Sequence, residues 1–404
     1  MKYIFHLGRI PALSIAELQA ILRKTKIKYS VKFISKKMLT LDIENKIIFK
    51  ELLVQMGGII KIAEFLGSYQ SAKDAFEKIN SIIEKMPGKK TVGYSFYPQE
   101  KTGDNAAYYK NFKEITENFI NIKKSLAEKS GMRLIFPDNK KMELNSASIF
   151  KNKLTIKGIE FNIMMLNNKI ILSKTIATQD VESYSKRDYG RPNRDSHTGM
   201  IPPKLAQIMI NFASVKEGQV ILDPFCGIGT IMQEALLNDY MIIGSDANDK
   251  QIENCKINLE WLSKKYILKY PNYKIFQSDI SSISKKIKQN SIDAIVTEST
   301  LGPVYTKVPQ KMDIKKNFKN LEKTHLRFFQ IAKLVLRKGA RIVVTLPAYK
   351  IKQNQYAFTP FVDKLKKMGY SAICPLDKKF ITKSTKVTSR NSITYDRPDQ
   401  IVAR

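Results

Sequence analysis

Apolar and polar positions follow two different rhythms along the chain. Up to residue 180, short apolar runs and amphipathic segments mix without a repeating order. Residues 3–7 read as a strand, and Ser14 caps a helix over 15–22 with Glu17 as its capping-box partner. Residues 28–43 form two β segments about the Lys36-Lys37 turn. A helix at 46–56 stops at Gly57-Gly58, a strand follows at 59–66, and an amphipathic helix at 72–86 stops at Pro87-Gly88. Next come a strand at 91–97, a long helix at 105–129 with Ile115, Phe119, Ile122 and Leu126 on one face, and a strand at 133–136. Asn145-Ser146-Ala147-Ser148 opens a short helix, and strands at 153–156, 161–166 and 169–175 complete the half, the last two turned at Asn167-Asn168. This mixture predicts a small ferredoxin-like α+β domain over 1–88 and a second α+β domain over 89–180.

Beyond residue 200 the rhythm becomes regular. Pro202-Pro203 opens a helix with Leu205, Ile208, Met209 and Phe212 on its buried face. Strands are predicted at 220–223, 241–244, 273–277, 292–297 and 340–346, with a late one at 392–395. Helices are predicted near 230–237, 249–262, 318–336 and 360–368. Repeated βα units predict a mostly parallel sheet with helices on both faces over 200–404, an α/β Rossmann-like domain. Between the halves, 181–199 reads as a basic linker. Lys186, Arg187, Arg191 and Arg194 alternate there with Asp188 and Asp195, and tyrosines interleave. Two readings stay open for it: a strap for RNA phosphates, or ion pairing within the protein.

Charge adds a partner class. Lys and Arg number 69 against 37 Asp and Glu, a formal net charge of +32, with +15 on residues 1–200 and +17 on 201–404. A positive field over both halves suits a large polyanion, nucleic acid first, although a generally lysine-rich composition accounts for part of it. The cysteines, Cys226, Cys255 and Cys374, lie far apart, and the histidines are only His6, His197 and His325, so no metal site is expected. No apolar run reaches membrane-spanning length and no leader pattern opens the chain, so a soluble, cytoplasmic protein without a membrane partner is expected.

The most specific string is Asp223-Pro224-Phe225-Cys226-Gly227-Ile228-Gly229-Thr230, an acid ending a buried strand, then a glycine turn into a helix. It resembles the first motif of class I S-adenosylmethionine methyltransferases, in the version found in RNA and DNA amino-methyltransferases. The order of elements over 89–180 resembles a THUMP domain, an RNA-binding module. Leu7-Gly8-Arg9-Ile10-Pro11-Ala12-Leu13-Ser14 and Lys174-Thr175-Ile176-Ala177-Thr178-Gln179-Asp180 resemble the same family's N-terminal half. Together the chain resembles the THUMP-containing tRNA guanine-N2 methyltransferases. That resemblance implies S-adenosyl-L-methionine as cofactor and tRNA as the RNA partner, gripped at its acceptor end by the N-terminal layers. It implies that Asp223, Phe225, Cys226, Gly227, Gly229 and Thr230 border the methionine end, Asp246 the ribose, and Asp279 with Ile280 the adenine. Thr198, with Gly199 and Met200, would border the cofactor from the preceding loop. Asp246 also fits on general grounds, since an acid closing the second strand of such a sheet accepts from ribose hydroxyls.

One string departs from the family. Relatives that methylate exocyclic amines carry Asp-Pro-Pro-Tyr after the fourth strand, and here Glu298-Ser299-Thr300-Leu301-Gly302 stands instead. Glu298 is expected to orient an amine, Ser299 or Thr300 to accept a hydrogen bond, and Tyr305 to replace the missing base platform. The expected activity is methylation of the guanine N2 amine in tRNA. Two alternatives stay open: a catalytically weak or inactive methyltransferase-fold RNA-binding protein, and a DNA amino-methyltransferase.

Overall fold

The computed structural model describes every residue except 45–46, 99–104, 127–130, 139, 195–199, 304, 306, 353–354, 383–384, 397–401 and 404; of 105–108 only the backbone is described. Two compact units result. One comprises Met1–Gly8, Ile27–Val54 and Ile59–Ser183; the other comprises Arg9–Lys26, Gln55–Gly58 and Tyr184–Arg404. The N-terminal helix α1 (Pro11–Lys24) therefore belongs with the C-terminal half of the chain. It starts at Pro11, earlier than the cap expected at Ser14, because a proline fits the first turn, where its missing N–H is not needed. Ser14 sits inside the helix, its hydroxyl donating back to the Ile10 carbonyl at 3.3 Å.

The first unit is built on β1 (Lys2–Leu7), β2 (Tyr29–Ile34), β3 (Met38–Ile43), β4 (Ile59–Tyr69), β5 (Lys90–Tyr97), β6 (Met132–Ile135), β7 (Ile159–Leu166) and β8 (Lys169–Thr178). These form one eight-stranded sheet in the order β2-β3-β1-β4-β8-β7-β5-β6. The division expected at residue 88 does not separate two bodies, since β4 and β8 pair antiparallel and join the segments edge to edge. The helices of this unit are α2 (Phe49–Val54), α3 (Ala72–Glu84), α4 (Asn105–Ser125) and α5 (Ser146–Lys151). Alternation on β5 sends Val92, Tyr94 and Phe96 into one core with Phe76 and Ile79 of α3 and Phe119 of α4. On β7–β8 the Asn167-Asn168 turn has φ of 49° and 58° at its two residues, the left-handed geometry that asparagine tolerates. No strand forms at 153–156: Lys153 turns left-handed at φ 53°, and the Leu154 N–H bonds back to the Ile149 carbonyl of α5.

The chain crosses into the second unit within α6 (Val181–Tyr189). Then follow α7 (Pro203–Ala213), β9 (Val220–Asp223), α8 (Thr230–Leu237), β10 (Met241–Asp246), α9 (Asp249–Lys265), β11 (Tyr273–Gln277), β12 (Ile292–Glu298), α10 (Lys311–Val335) and β13 (Leu336–Thr345). The sheet runs β11-β10-β9-β12-β13, and every pairing is parallel. Residues of α7, α8 and α9 cover one face, while Phe328, Phe329 and Ile331 of α10 cover the other. The chain winds outward from β9 to β11 and then returns to the opposite side of β9 as β12. The crevice between the carboxyl ends of β9 and β12 is therefore the switch point, where such sheets bind ligands. A small antiparallel sheet of β14 (Ala348–Lys352), β15 (Gln355–Phe358) and β16 (Val402–Ala403), with α11 (Val362–Lys367), completes the unit. The strand expected at 392–395 is absent: Asn391 is left-handed at φ 57°, and the Thr388 N–H bonds the Ser392 carbonyl in a closed turn.

Glu17 ties α1 into this unit. Fully buried, its carboxylate accepts from the Gly57 N–H at 2.8 Å, the Gly58 N–H at 2.7 Å and the Asn211 amide at 2.8 Å. The expected capping-box role is thus replaced by a clamp between α1, the Gly57-Gly58 segment and α7. Burial pushes its carboxyl up to about 7 against the pull of these hydrogen bonds.

Candidate functional site

The strand β9 delivers Asp223 to the switch point, and the glycine turn begins there. Gly227 has φ 50° and Gly229 φ 87°, conformations that favour glycine. A Cβ at Gly227 would meet nothing within 4 Å, so the backbone is bare toward the cleft. A Cβ at Gly229 would lie 2.4 Å from the Cys255 sulfur, so only glycine lets α8 start this close to α9. Asp223, Phe225, Cys226, Gly227, Ile228 and Thr230 line an open cleft with Met200, Ile201, Ile231, Gln251 and Glu298. Asp223 of the motif and Glu298, the acid that ends β12, lie 75 positions apart in sequence and thus share one cavity.

Its acids differ in environment. Asp223 is 1% exposed and accepts from the Thr297 hydroxyl at 2.6 Å and the Phe225 N–H at 3.3 Å. Burial pushes its carboxyl up to about 7; these hydrogen bonds oppose the rise, and the charges of Asp246 and Glu298 add to it. Asp246 ends β10 half-buried, one oxygen accepting from the Gly227 N–H at 3.0 Å and the other from the Asn248 N–H at 2.9 Å. The pair expected at the adenine stands apart from the lining residues. Asp279 is exposed and accepts from the Ser281 N–H at 2.8 Å, while Ile280 is buried in a core with Leu222 and Ile283. Thr198, with His197 and Gly199, lies outside the described residues.

Of the three residues expected to meet the acceptor, Glu298 alone lines the cleft. Ser299 is 2% exposed and donates its hydroxyl to the Thr345 carbonyl of β13 at 2.6 Å; it is a strut between strands. Thr300 faces solvent. The following loop is braced by Tyr349, fully buried, which donates to the Leu301 carbonyl at 3.0 Å. Tyr305 does not line the cleft: its ring is edge-on to Tyr349 at 5.8 Å and its hydroxyl accepts from the Asn317 amide. Phe225, edge-on to Phe328 at 5.6 Å, is the aromatic in the cleft wall.

The basic strap divides. Lys186 and Arg194 are exposed, the latter over the Tyr189 ring at 4.9 Å. Arg187 and Arg191 are not available to RNA. Arg187 is buried against Glu234 of α8, with N–O distances of 2.6 and 3.3 Å. Burial disfavours its charge, but the Glu234 carboxylate outweighs that and raises its pKa. Arg191 is 3% exposed; it donates to the Thr230 hydroxyl at 2.7 Å and to the Met200 sulfur at 3.0 Å. Asn258 clips the same segment, exchanging hydrogen bonds with the Asn193 backbone at 3.0 and 3.1 Å and donating to the Ile228 carbonyl at 3.0 Å. Met200, expected beside Thr198, lines the cleft, whereas Ile201, Gln251 and Asn258 are site residues that sequence reasoning missed. The regular acid offsets in the linker hinted at internal pairing, but the partner, Glu234, lies 47 positions on.

The chemistry of these groups fits S-adenosylmethionine: carboxylates for a cationic methionine end, a bare glycine turn for close approach, and an acid closing β10 for ribose hydroxyls. Among the described residues no group of His, Cys, Asp or Glu converges as a metal site, and no helix is long and apolar enough to cross a membrane.

Comparison with known proteins agrees with this geometry. A family model described as RMKL-like, methyltransferase domain, matches residues 191–357, and one described as DNA methylase matches residues 63–257. Over 187 residues the chain is 29% identical to the tRNA (guanine(10)-N2)-dimethyltransferase of Methanothermobacter thermautotrophicus, taking in 46% of this chain and 50% of that one. The match thus spans about half the length of that relative. Over 119 residues it is 31% identical to the probable tRNA (guanine(10)-N2)-dimethyltransferase of Methanothermococcus thermolithotrophicus, covering 29% of this chain and 70% of that one. Among solved structures, TrmN from Thermus thermophilus is similar in fold, with a TM-score of 0.50 at 13% identity over 86% of this chain and 89% of that one.

Proposed function

We propose a function from one premise: the chain belongs to the tRNA guanine-N2 methyltransferase family. It transfers a methyl group from S-adenosylmethionine to the exocyclic N2 amine of a guanine in RNA, tRNA in the first place. The observation that carries the reading is the convergence of the glycine turn and Glu298 on one cleft at the switch point.

S-adenosylmethionine supplies, when bound, a methyl group already activated on a sulfonium. The chain's residues have to align rather than activate, and alignment is worth much of such a barrier. Asp223 balances the cationic methionine end, Asp246 takes ribose hydroxyls, and the turn admits the ligand against bare backbone at Gly227. Glu298 accepts a hydrogen bond from the amine and receives the proton released as the nitrogen gains its carbon. Phe225 offers a face to a base drawn out of its stack, a withdrawal costing about a few kcal/mol. The first unit supplies RNA affinity through phosphate and shape contacts, with Lys186 and Arg194 of the second as exposed cations, so binding weakens with salt.

Transfer of labelled methyl to unmodified tRNA transcripts, with nucleoside mass spectrometry of the product, tests this. Methylguanosine is expected, and Glu298→Ala is expected to lower turnover by about 10²-fold or more with cofactor affinity unchanged. No transfer to any tRNA or rRNA would sink the reading. One observation favours the non-catalytic alternative: Ser299, which replaces a proline of the related motif, is occupied between strands. Cofactor binding without transfer would select it, and competition between tRNA and duplex DNA decides against or for a DNA substrate.

A further inference from the structure

Arg191 is a buried cation behind the cleft wall; the charges of Asp188 and Glu234 reach it, but neither holds it in an ion pair. It is 3% exposed, yet among the described residues no carboxylate forms an ion pair with it, and its Nε has no hydrogen-bond partner. Its neighbour in sequence shows what a buried arginine ordinarily acquires here: Arg187 holds both oxygens of Glu234. Arg191 instead donates to a neutral hydroxyl, Thr230, and a thioether, Met200. Burying a charge costs several kcal/mol unless it is paired. An arriving anion at hydrogen-bond distance would offset that cost.

The two groups Arg191 touches identify where that anion sits. Thr230 and Met200 both line the cleft, and its lining among the described residues contains two carboxylates, Asp223 and Glu298, but no lysine or arginine. The methionine end of S-adenosylmethionine carries a sulfonium, an ammonium and one carboxylate. Asp223 matches the cationic groups and would repel the carboxylate, which therefore needs a cation of its own. We propose that Arg191 receives the α-carboxylate of the cofactor at the Thr230–Met200 wall, with the Thr230 hydroxyl beside it. The inference rests on the cofactor reading above, and it reassigns to cofactor binding a residue whose sequence context pointed to RNA.

Calorimetry with the full chain tests it, using S-adenosylmethionine and its decarboxylated form, which differ in that carboxylate. Wild type is expected to prefer S-adenosylmethionine by about 10- to 100-fold, the value of a charge-assisted hydrogen bond. The preference would be telling, since two acids in the wall otherwise favour the more cationic decarboxylated form. Arg191→Gln is expected to lose that preference, binding the decarboxylated form as wild type does, and Arg191→Lys to recover part of it. A merely structural strut would weaken both ligands equally, and that result overturns the proposal. Should Arg191→Gln fail to fold, the wild-type pair still decides: equal affinity for the two forms overturns it. A wild type that binds neither form removes the cofactor reading itself, an outcome distinct from binding without discrimination.

Discussion

Replacing Asp223 by Asn separates what this residue does for the fold from what it does for the ligand. The carboxyl is 1% exposed and its pKa rises from an ordinary 3.8 to about 7, mainly through burial. A folded-state pKa above the unfolded one means that the folded chain holds a proton which the unfolded chain releases. The associated stability is full below about pH 3.8 and is lost as the pH rises through about 7. At about 1.4 kcal/mol for each pH unit between those values, the loss amounts to about 4 kcal/mol. Asparagine has nearly the same shape, can still accept from the Thr297 hydroxyl and the Phe225 N–H, and carries no charge to desolvate. The variant is therefore expected to match wild type near pH 4 and to exceed it by an amount that grows with pH and levels off above about 7. Paired urea titrations from pH 4.5 to 8.5 measure this. Glu17, also raised to about 7, contributes equally to both proteins and cancels in the difference. Cofactor affinity should move oppositely: in wild type it rises with pH as Asp223 ionises, and in Asp223→Asn it is low and flat. A stability difference that stays constant across the range would refute the reasoning.

Two further substitutions probe the scaffold of the site. Glu17→Ala removes the shared acceptor of two buried glycine N–H groups and is expected to cost about 2–4 kcal/mol, read as a lower urea midpoint. Arg187→Met strands Glu234 in the interior and is expected to cost about 3–5 kcal/mol, while Arg187→Met with Glu234→Met together should return most of it. A double variant no better than the single one would show that the pair does more than neutralise itself.

Local chemistry made much of the chain legible. The βα rhythm after residue 200, the proline start of α7, the Asn167-Asn168 turn and the glycine turn all depend on neighbours a few positions away, and sequence displays those directly. So does Asp223, because a strand ending in an acid before a glycine turn has few other uses. The sequence alone determined the fold class of the C-terminal half and the strand and turn that form the cleft. Tertiary structure decided which charges are free. Arg187 and Lys186 are adjacent and alike in sequence, yet one is buried on Glu234 and the other is exposed. Ser299 and Glu298 are adjacent too, yet where β12 ends one donates to the Thr345 carbonyl and the other lines the cleft. Pairing β4 with β8 fused two expected domains into one sheet, and Glu17 found its partners at Gly57, Gly58 and Asn211. The physical reason is common to all of these. Periodicity and turn preference act over a few residues, whereas burial and charge neutralisation depend on partners that only folding brings near.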